Sequence, residues 1–345
     1  MAKAVATRPH PNPRVGAVVV AADGTIAGEG AHSGPGSPHA ETHALAAAGP
    51  AAAGSTLYVT LEPCDHHGRT PPCTEAIIDA GVARVVVGTL DPDVRVSGRG
   101  VERLREAGID VHVGVAGIDA EGLDEAYFHH RRTGLPFVTV KVAGTLDGQA
   151  AAQDGTSRWI TGEAARADAH RLRADHDAVM IGAGTLRVDD PRLDVRLADH
   201  DRPQPRPVVI AGRRPLPPAR VLYERGPLIV ASEPRTDIPT GAELVLVAGT
   251  DGLVAPEAVL EALGKRDIVA LMIEGGPHLA GAFISAGLAD RIVLYLGAMV
   301  AGGLGLPVLS GAFPTLDAGR AVTIDRVERL GDDLRIDARP AKGRR

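Results

Sequence analysis

Short apolar runs alternate with Gly- and Pro-rich turns along the whole chain. Val15–Val20 is an apolar run consistent with a buried strand, and Asp23-Gly24 predicts a hairpin turn that returns as a strand over Thr25–Gly28. Ala40–Ala48 has helix-forming composition, so a helix is expected to open just after His39. Thr56–Leu61 is β-rich. Thr74–Ala80 then reads as a helix ended by Gly81, Arg84–Gly88 as a strand, Gly100–Ala107 as a helix and Ile109–Val113 as a strand. Strands interleaved with helices predict an α/β/α sandwich for this first stretch.

The pattern changes character near Arg131-Arg132-Thr133-Gly134-Leu135-Pro136. Beyond it, apolar β-type runs at Phe137–Ala143, Asp177–Ile181, Val208–Ala211, Leu228–Ala231, Leu244–Val247 and Ile268–Ile273 predict a second α/β module. Thr145-Leu146-Asp147-Gly148 is expected to turn the chain. A helix is expected from Gly162 to about Arg173 with Thr161 as its N-cap, and another over His278–Ala286. The expected organisation is two domains, 1–134 and 135–345.

Composition narrows the function. Hydrophobic residues at 44% and charged residues at 23% describe an ordinary globular chain, and aromatics at 3% leave its cores to Ala, Val, Leu and Ile. A net charge of −6 argues against a nucleic-acid partner, which favours a basic face and stacking aromatics. No run approaches the length of a membrane span and the first residues hold no secretion-type apolar stretch, so a cytoplasmic location is expected.

The chemistry concentrates early. Both cysteines and nine of the thirteen histidines precede residue 135. Cys64 follows a proline and lies 25 positions after His39; Cys73 is nine further on; Glu41 stands two after His39. Either cysteine alone reads equally well as a small buried apolar residue. Together the three donors form a one-imidazole, two-thiolate set that leaves zinc a fourth position for water, with Glu41 placed to move protons rather than bind metal. This is the zinc nucleobase-deaminase pattern, with eight residues between the cysteines in place of the usual two. Each ligand loop runs into a helix N-terminus, which lowers thiol pKa values. Asn12, between two prolines, reads either as a turn residue or as a side chain facing a polar ligand. His66 and Arg69 lie between the two cysteines, where they are either solvated or turned to substrate. His10, His32, His43, His129 and His130 show no ligand spacing and read as structural.

In the second module, Glu274-Gly275-Gly276-Pro277 follows a strand and precedes a helix, the layout that brings backbone N–H groups to a phosphate. Gly182-Ala183-Gly184-Thr185 echoes it. Tight packing is the competing reading of both, and no G-x-G-x-x-G fingerprint is present. Arg213-Arg214, just past a strand, has the chemistry for a 2′-phosphate.

With these residues in view, the chain resembles the bifunctional riboflavin-biosynthesis deaminase–reductases, called RibD or RibG, over nearly its whole length. Pro11-Asn12-Pro13, His39-Ala40-Glu41, Thr60-Leu61-Glu62-Pro63-Cys64 and Gly68-Arg69-Thr70-Pro71-Pro72-Cys73 carry the resemblance in the first half. Leu146-Asp147-Gly148, Trp159-Ile160-Thr161, Asp189-Asp190-Pro191 and Glu274-Gly275-Gly276 carry it in the second. The resemblance implies a cytidine-deaminase-like domain followed by a dihydrofolate-reductase-like one. It implies hydrolytic deamination of 2,5-diamino-6-(5-phosphoribosylamino)pyrimidin-4-one with one Zn²⁺ per chain, then NADPH-dependent reduction of the ribosyl chain to ribityl. Carried over by position, His39, Cys64 and Cys73 ligate zinc, Glu41 is catalytic, and Asn12, His66 and Arg69 hold the pyrimidine. In the reductase, Lys141, Ser157, Arg173, Leu193, Arg196 and Glu274 match substrate contacts. Ala143, Trp159, Thr185, Asp189, Gly275, Gly276, Pro277, His278, Leu279, Ala280 and Gly281 match NADPH contacts. The resemblance further implies phosphorylated pyrimidine substrates and a homo-oligomer, dimer or tetramer. Two departures stand out: the family helix before Pro11-Asn12-Pro13 has little sequence here to form it, and Asp65 occupies a position that is commonly Ser.

Overall fold

A computed structural model describes residues 10–67, 71–94, 96–115, 117–200, 202–311 and 313–341. The chain forms two compact units, Met1–Gly134 and Leu135–Arg345.

The first unit carries a five-stranded sheet of β1 (Gly16–Val20), β2 (Ile26–Ala31), β3 (Thr56–Leu61), β4 (Arg84–Thr89) and β5 (Asp110–Val113), in the order β2-β1-β3-β4-β5. β1 pairs antiparallel with β2 and β3, whereas β3, β4 and β5 run parallel. Helices α1 (Ala40–Ala48), α2 (Cys73–Asp79), α3 (Arg99–Glu106), α4 (Gly117–Gly122) and α5 (Glu125–Thr133) complete it. The core joins Val19, Leu57, Val59, Val85 and Val87 of the sheet to Ala44, Ile77 and Leu104 of the helices. The returning strand extends to Ala31 rather than stopping at Gly28. Its two glycines allow this, because a Cβ on Gly28 or Gly30 would strike the Ala44 or Ala40 carbonyl of α1. The helix that begins beside His39 therefore lies directly on β2.

In the second unit the order is β6 (Phe137–Thr145), β7 (Gln149–Ala151), α6 (Glu163–Ala174), β8 (Ala178–Gly182), α7 (Ala183–Asp189), β9 (Arg206–Ile210), β10 (Leu228–Ala231) and β11 (Glu243–Leu246). There follow the short ribbon β12 (Gly249–Thr250) and β13 (Leu253–Val254), then α8 (Pro256–Gly264), β14 (Ala270–Glu274), α9 (Pro277–Ala286), β15 (Arg291–Gly297), β16 (Leu306–Pro307), β17 (Val322–Leu330) and β18 (Asp333–Pro340). Nine of these strands form one sheet, β11-β10-β9-β8-β14-β6-β15-β18-β17. It is parallel from β11 to β15 and closes with antiparallel β18 and β17. Both faces are covered: Leu271 and Ile273 of β14 enter one core and Met272 the other. That is why these strands read as continuous apolar runs rather than alternating ones.

One local expectation changes. Gly162, not Thr161, is the N-cap of α6; the Gly162 N–H donates to Asp333 Oδ2 at 2.6 Å, a partner 171 residues away that local sequence does not reveal. Gly182-Ala183-Gly184-Thr185, read as an echo of the strand, glycine, helix layout, runs from the end of β8 straight into α7 at Ala183.

Candidate active sites

In the first unit, α1 and α2 lie side by side and present their N-terminal ends together. His39 is the N-cap of α1, Cys73 is the first residue of α2, and Cys64 ends the segment leaving β3. One donor atom from each of His39, Cys64 and Cys73 lies within 4.8 Å of the others. His39 Nδ1 is 3.1 Å from Cys73 Sγ and 3.4 Å from Cys64 Sγ. Edges of roughly 3.5–3.8 Å follow from zinc–nitrogen and zinc–sulfur bonds of about 2.0 and 2.3 Å in a tetrahedron, so the set fits zinc after a small relaxation. Among the described residues it is the only such cluster of three.

Electrostatics suit the assignment. A hydrogen bond from Cys73 and another with His39 hold the Cys64 thiol below its ordinary value against the cost of burial. Glu41, in the first turn of α1, is 3% exposed, and burial pushes its carboxyl up to about 7. A carboxyl balanced near neutrality can both accept and return a proton.

Surrounding residues fix the frame. Glu62 is buried and its carboxylate accepts from the backbone N–H of Asp91 (3.2 Å), Gly98 (2.9 Å), Gly100 (3.0 Å) and Val101 (3.3 Å). It ties the Pro63-Cys64 segment to the start of α3, a role that reading the sequence alone did not assign. Asp65 accepts from the buried Thr74 hydroxyl at 2.6 Å, so it anchors the first turn of α2. Pro11-Asn12-Pro13 is pinned from both sides: Asp124 binds His10 Nε2 at 3.0 Å and the Arg14 N–H at 2.9 Å, while Arg131 donates to the Pro11 carbonyl at 2.8 Å. Asn12 Nδ2 is 3.0 Å from His32 Nε2, and the His32 ring stands edge-on to His39 at 5.2 Å. His32 was grouped with the structural histidines for want of ligand spacing; the fold sets it between Asn12 and His39. His66 is exposed, and Arg69 lies outside the described residues.

The second site gathers where β14, β6 and β15 run side by side. Glu274 is directly across from Lys141, and Tyr295 from Ala143. Arg173 of α6 meets Glu274 through Nη2 at 2.7 and 2.8 Å and Nε at 3.1 Å, and also donates to the Asp194 carbonyl. Lys141 Nζ is 3.5 Å from Glu274 and 5.6 Å from the centre of the Tyr295 ring. Burial alone would raise the Glu274 carboxyl, but Arg173 and Lys141 together hold it down to about 2. Arg196 pairs with Asp194 at 2.6 Å, and buried Leu193 beside it has a left-handed backbone with φ 53°. Ser157 is partly exposed.

Next to this cluster, β8 and β14 end together and each runs into a helix. Gly275 and Gly276 have φ of 78° and 77°, the left-handed region that glycine enters without strain, and a Cβ on Gly276 would crowd the Thr185 hydroxyl. The N-termini of α7 and α9 thus meet at Thr185; Pro277 opens α9 without an N–H of its own, so the first-turn donors there are the backbone N–H groups of His278 and Leu279. His278 is exposed, whereas Ala280 is buried in the core and Gly281 passes under the Ser310 carbonyl. Trp159 is 67% exposed with the Arg166 guanidinium stacked on it at 4.4 Å. Asp189 closes α7, its carbonyl accepting from Arg158.

Comparison with known proteins accounts for both sites. The family described as cytidine and deoxycytidylate deaminase zinc-binding region matches residues 1–89, and the RibD C-terminal domain matches residues 136–336. The riboflavin biosynthesis protein RibD of Aquifex aeolicus is 43% identical over 333 residues, covering 95% of this chain and 92% of that one. The chain belongs to the RibD family. The Escherichia coli RibD is 41% identical over 337 residues, covering 94% of this chain and 88% of that one. Among solved structures, Acinetobacter baumannii RibD superposes with a TM-score of 0.91 at 35% identity, covering 99% of this chain and 96% of that one. A Thermotoga maritima protein named as a diaminohydroxyphosphoribosylaminopyrimidine deaminase/5-amino-6-(5-phosphoribosylamino)uracil reductase gives 0.88 at 35% identity, covering 97% and 94%. As a member of the RibD family, the chain is a bifunctional deaminase and reductase of riboflavin biosynthesis, with a zinc-binding deaminase domain and an NADPH-dependent, dihydrofolate-reductase-like domain. Among the described residues no helix is long and apolar enough to cross a membrane.

Proposed function

We propose that residues 1–134 deaminate 2,5-diamino-6-(5-phosphoribosylamino)pyrimidin-4-one and that residues 135–345 reduce the ribosyl chain of the resulting 5-amino-6-(5-phosphoribosylamino)uracil. The observation that carries this reading is the triangle of His39, Cys64 and Cys73 with buried Glu41 one short step inside α1.

His39, Cys64 and Cys73 hold the zinc, which when bound supplies a hydrolytic nucleophile near neutral pH. Glu41 takes the proton of the attacking water and delivers it to the departing amino nitrogen, a transfer for which its raised pKa is suited. Asn12, His66 and Arg69 hold the pyrimidine. In the reductase, NADPH supplies hydride and the chain orients the sugar against it. Exposed Arg196 suits an anionic sugar phosphate, because guanidinium matches phosphate in a two-pronged geometry, and Arg173, its fork held by Glu274, adds positive charge beside it. Glu274 holds Arg173 and Lys141 in place, and Ser157 and Leu193 complete the substrate contacts. Ala143, Trp159, Thr185, Asp189 and the segment from Gly275 to Leu279 would hold the cofactor, with the α9 N-terminus suited to its phosphates, and buried Ala280 and Gly281 would support that segment from beneath.

The enzyme works in the cytoplasm, where both thiols stay reduced, and without a nucleic-acid partner. It acts as a homo-oligomer, dimer or tetramer; exposed Val322, Ile324 and Val327 on the edge strand β17 support this. Purified protein with one zinc per chain should release ammonia from the diaminopyrimidine. Cys64→Ser should lose zinc and ammonia release yet still oxidise NADPH on the deaminated substrate. Ammonia release at the wild-type rate by a zinc-free Cys64→Ser protein would overturn the reading.

A further inference from the structure

We propose that His32 is a positioning residue for deamination: it dictates which end of the Asn12 carboxamide faces the substrate. The inference rests on the reading of Asn12 as a substrate-binding residue. His32 is 2% exposed, and its Nδ1 sits 3.1 Å from the Pro38 carbonyl and 3.3 Å from Ser37 Oγ. The Ser37 hydroxyl donates to the Gly34 carbonyl at 2.7 Å, so both neighbours of Nδ1 are acceptors. Nδ1 therefore carries the ring proton, and in the neutral imidazole Nε2 is left as an acceptor.

The Asn12 atom 3.0 Å from Nε2 must then be the amino nitrogen. It follows that Asn12 Oδ1 is turned away from His32. The two ends of a carboxamide are nearly identical in shape, so only a partner of fixed polarity can tell them apart. Here that polarity is relayed from a main-chain carbonyl, Pro38, through one ring to Asn12. The backbone of Asn12 is already held through Asp124 and Arg131, so its amide orientation is the remaining freedom. The ring that relays it also rests edge-on against His39, which sets the distance from Asn12 to the metal ligands.

Two conservative variants of the full-length zinc enzyme separate this role from a structural one. His32→Gln can present an acceptor near the position of Nε2, whereas His32→Asn reaches only the position of Nδ1. With the diaminopyrimidine as substrate, His32→Asn should raise KM by about tenfold or more, the effect of a lost hydrogen bond, and lower kcat less. His32→Gln should stay within about threefold of wild type, and in an Asn12→Ala background His32→Asn should add less than about twofold, since the effect passes through Asn12. All variants should keep one zinc per chain and wild-type NADPH oxidation on the deaminated substrate. Equal KM increases from Gln and Asn, an undiminished His32→Asn effect in the Asn12→Ala background, or loss of zinc in both variants would overturn the proposal. An Asn12→Ala enzyme with wild-type KM would refute the substrate role of Asn12 itself, and the positioning role with it.

Discussion

Glu274 is the residue on which buried Arg173 and partly buried Lys141 converge. Its folded pKa, about 2, lies below the ordinary 4.5, so its contribution is complete above about pH 4.5 and is lost as pH falls toward 2. The difference corresponds to roughly 3 kcal/mol of stability for the second unit at neutral pH. Glu274→Gln removes the carboxylate and leaves Arg173 and Lys141 as unbalanced buried charges, costing about 3–5 kcal/mol and abolishing NADPH oxidation. Denaturant melts between pH 2 and pH 7 check this: the wild-type protein should gain stability from pH 2 to 5, and in the variant that gain should be smaller by about 3 kcal/mol, the remainder coming from other carboxyls held low such as Asp147 and Asp237. At this scale much was legible in sequence, because His39, Glu41, Cys64 and Cys73 announce themselves by spacing. Glu62 and His32 did not, since their partners lie in loops brought close only by the fold.

Among the elements, α3 carries an unusual load for a helix with no metal ligand of its own. Its N-terminus is held by the Glu62 carboxylate, and Gly100 lets the Pro63 carbonyl approach where a Cβ would collide. Because Cys64 follows directly, loosening α3 should loosen the metal. Glu62→Gln is expected to destabilise the first unit by about 1–3 kcal/mol, the range for hydrogen bonds to a charged group, and to weaken zinc retention. Gly100→Ala should act in the same direction. Both are checked by zinc release in a chelator titration, with NADPH oxidation on the deaminated substrate unchanged. The strands with continuous apolar runs were readable because both sheet faces are covered. The hairpin of β17 and β18 was not read. Its alternation is real, with a tight turn at Gly331-Asp332, but charged Arg326, Glu328 and Arg329 dilute it and β17 is largely exposed.

For the whole molecule, the exposed edge of the large sheet argues for self-association. An edge strand bearing Val322, Ile324 and Val327 at 45%, 58% and 57% exposure is a template for another copy. Ile324→Lys with Val327→Lys should shift the sedimentation profile toward monomer while zinc content stays at one per chain; an unchanged profile would remove β17 from the interface. The α/β class could be read from the alternation of strands and helices along the chain, whereas oligomeric order has no comparable signature in a single chain. The most direct measurement of the account as a whole uses the full-length Glu41→Gln enzyme, supplied first with the diaminopyrimidine and then with its deaminated product, following ammonia and NADPH together. The account predicts retained zinc, ammonia release reduced by about 10²–10⁴-fold, and NADPH oxidation only once the deaminated compound is present. Undiminished ammonia release, or equal loss of both activities, would contradict it.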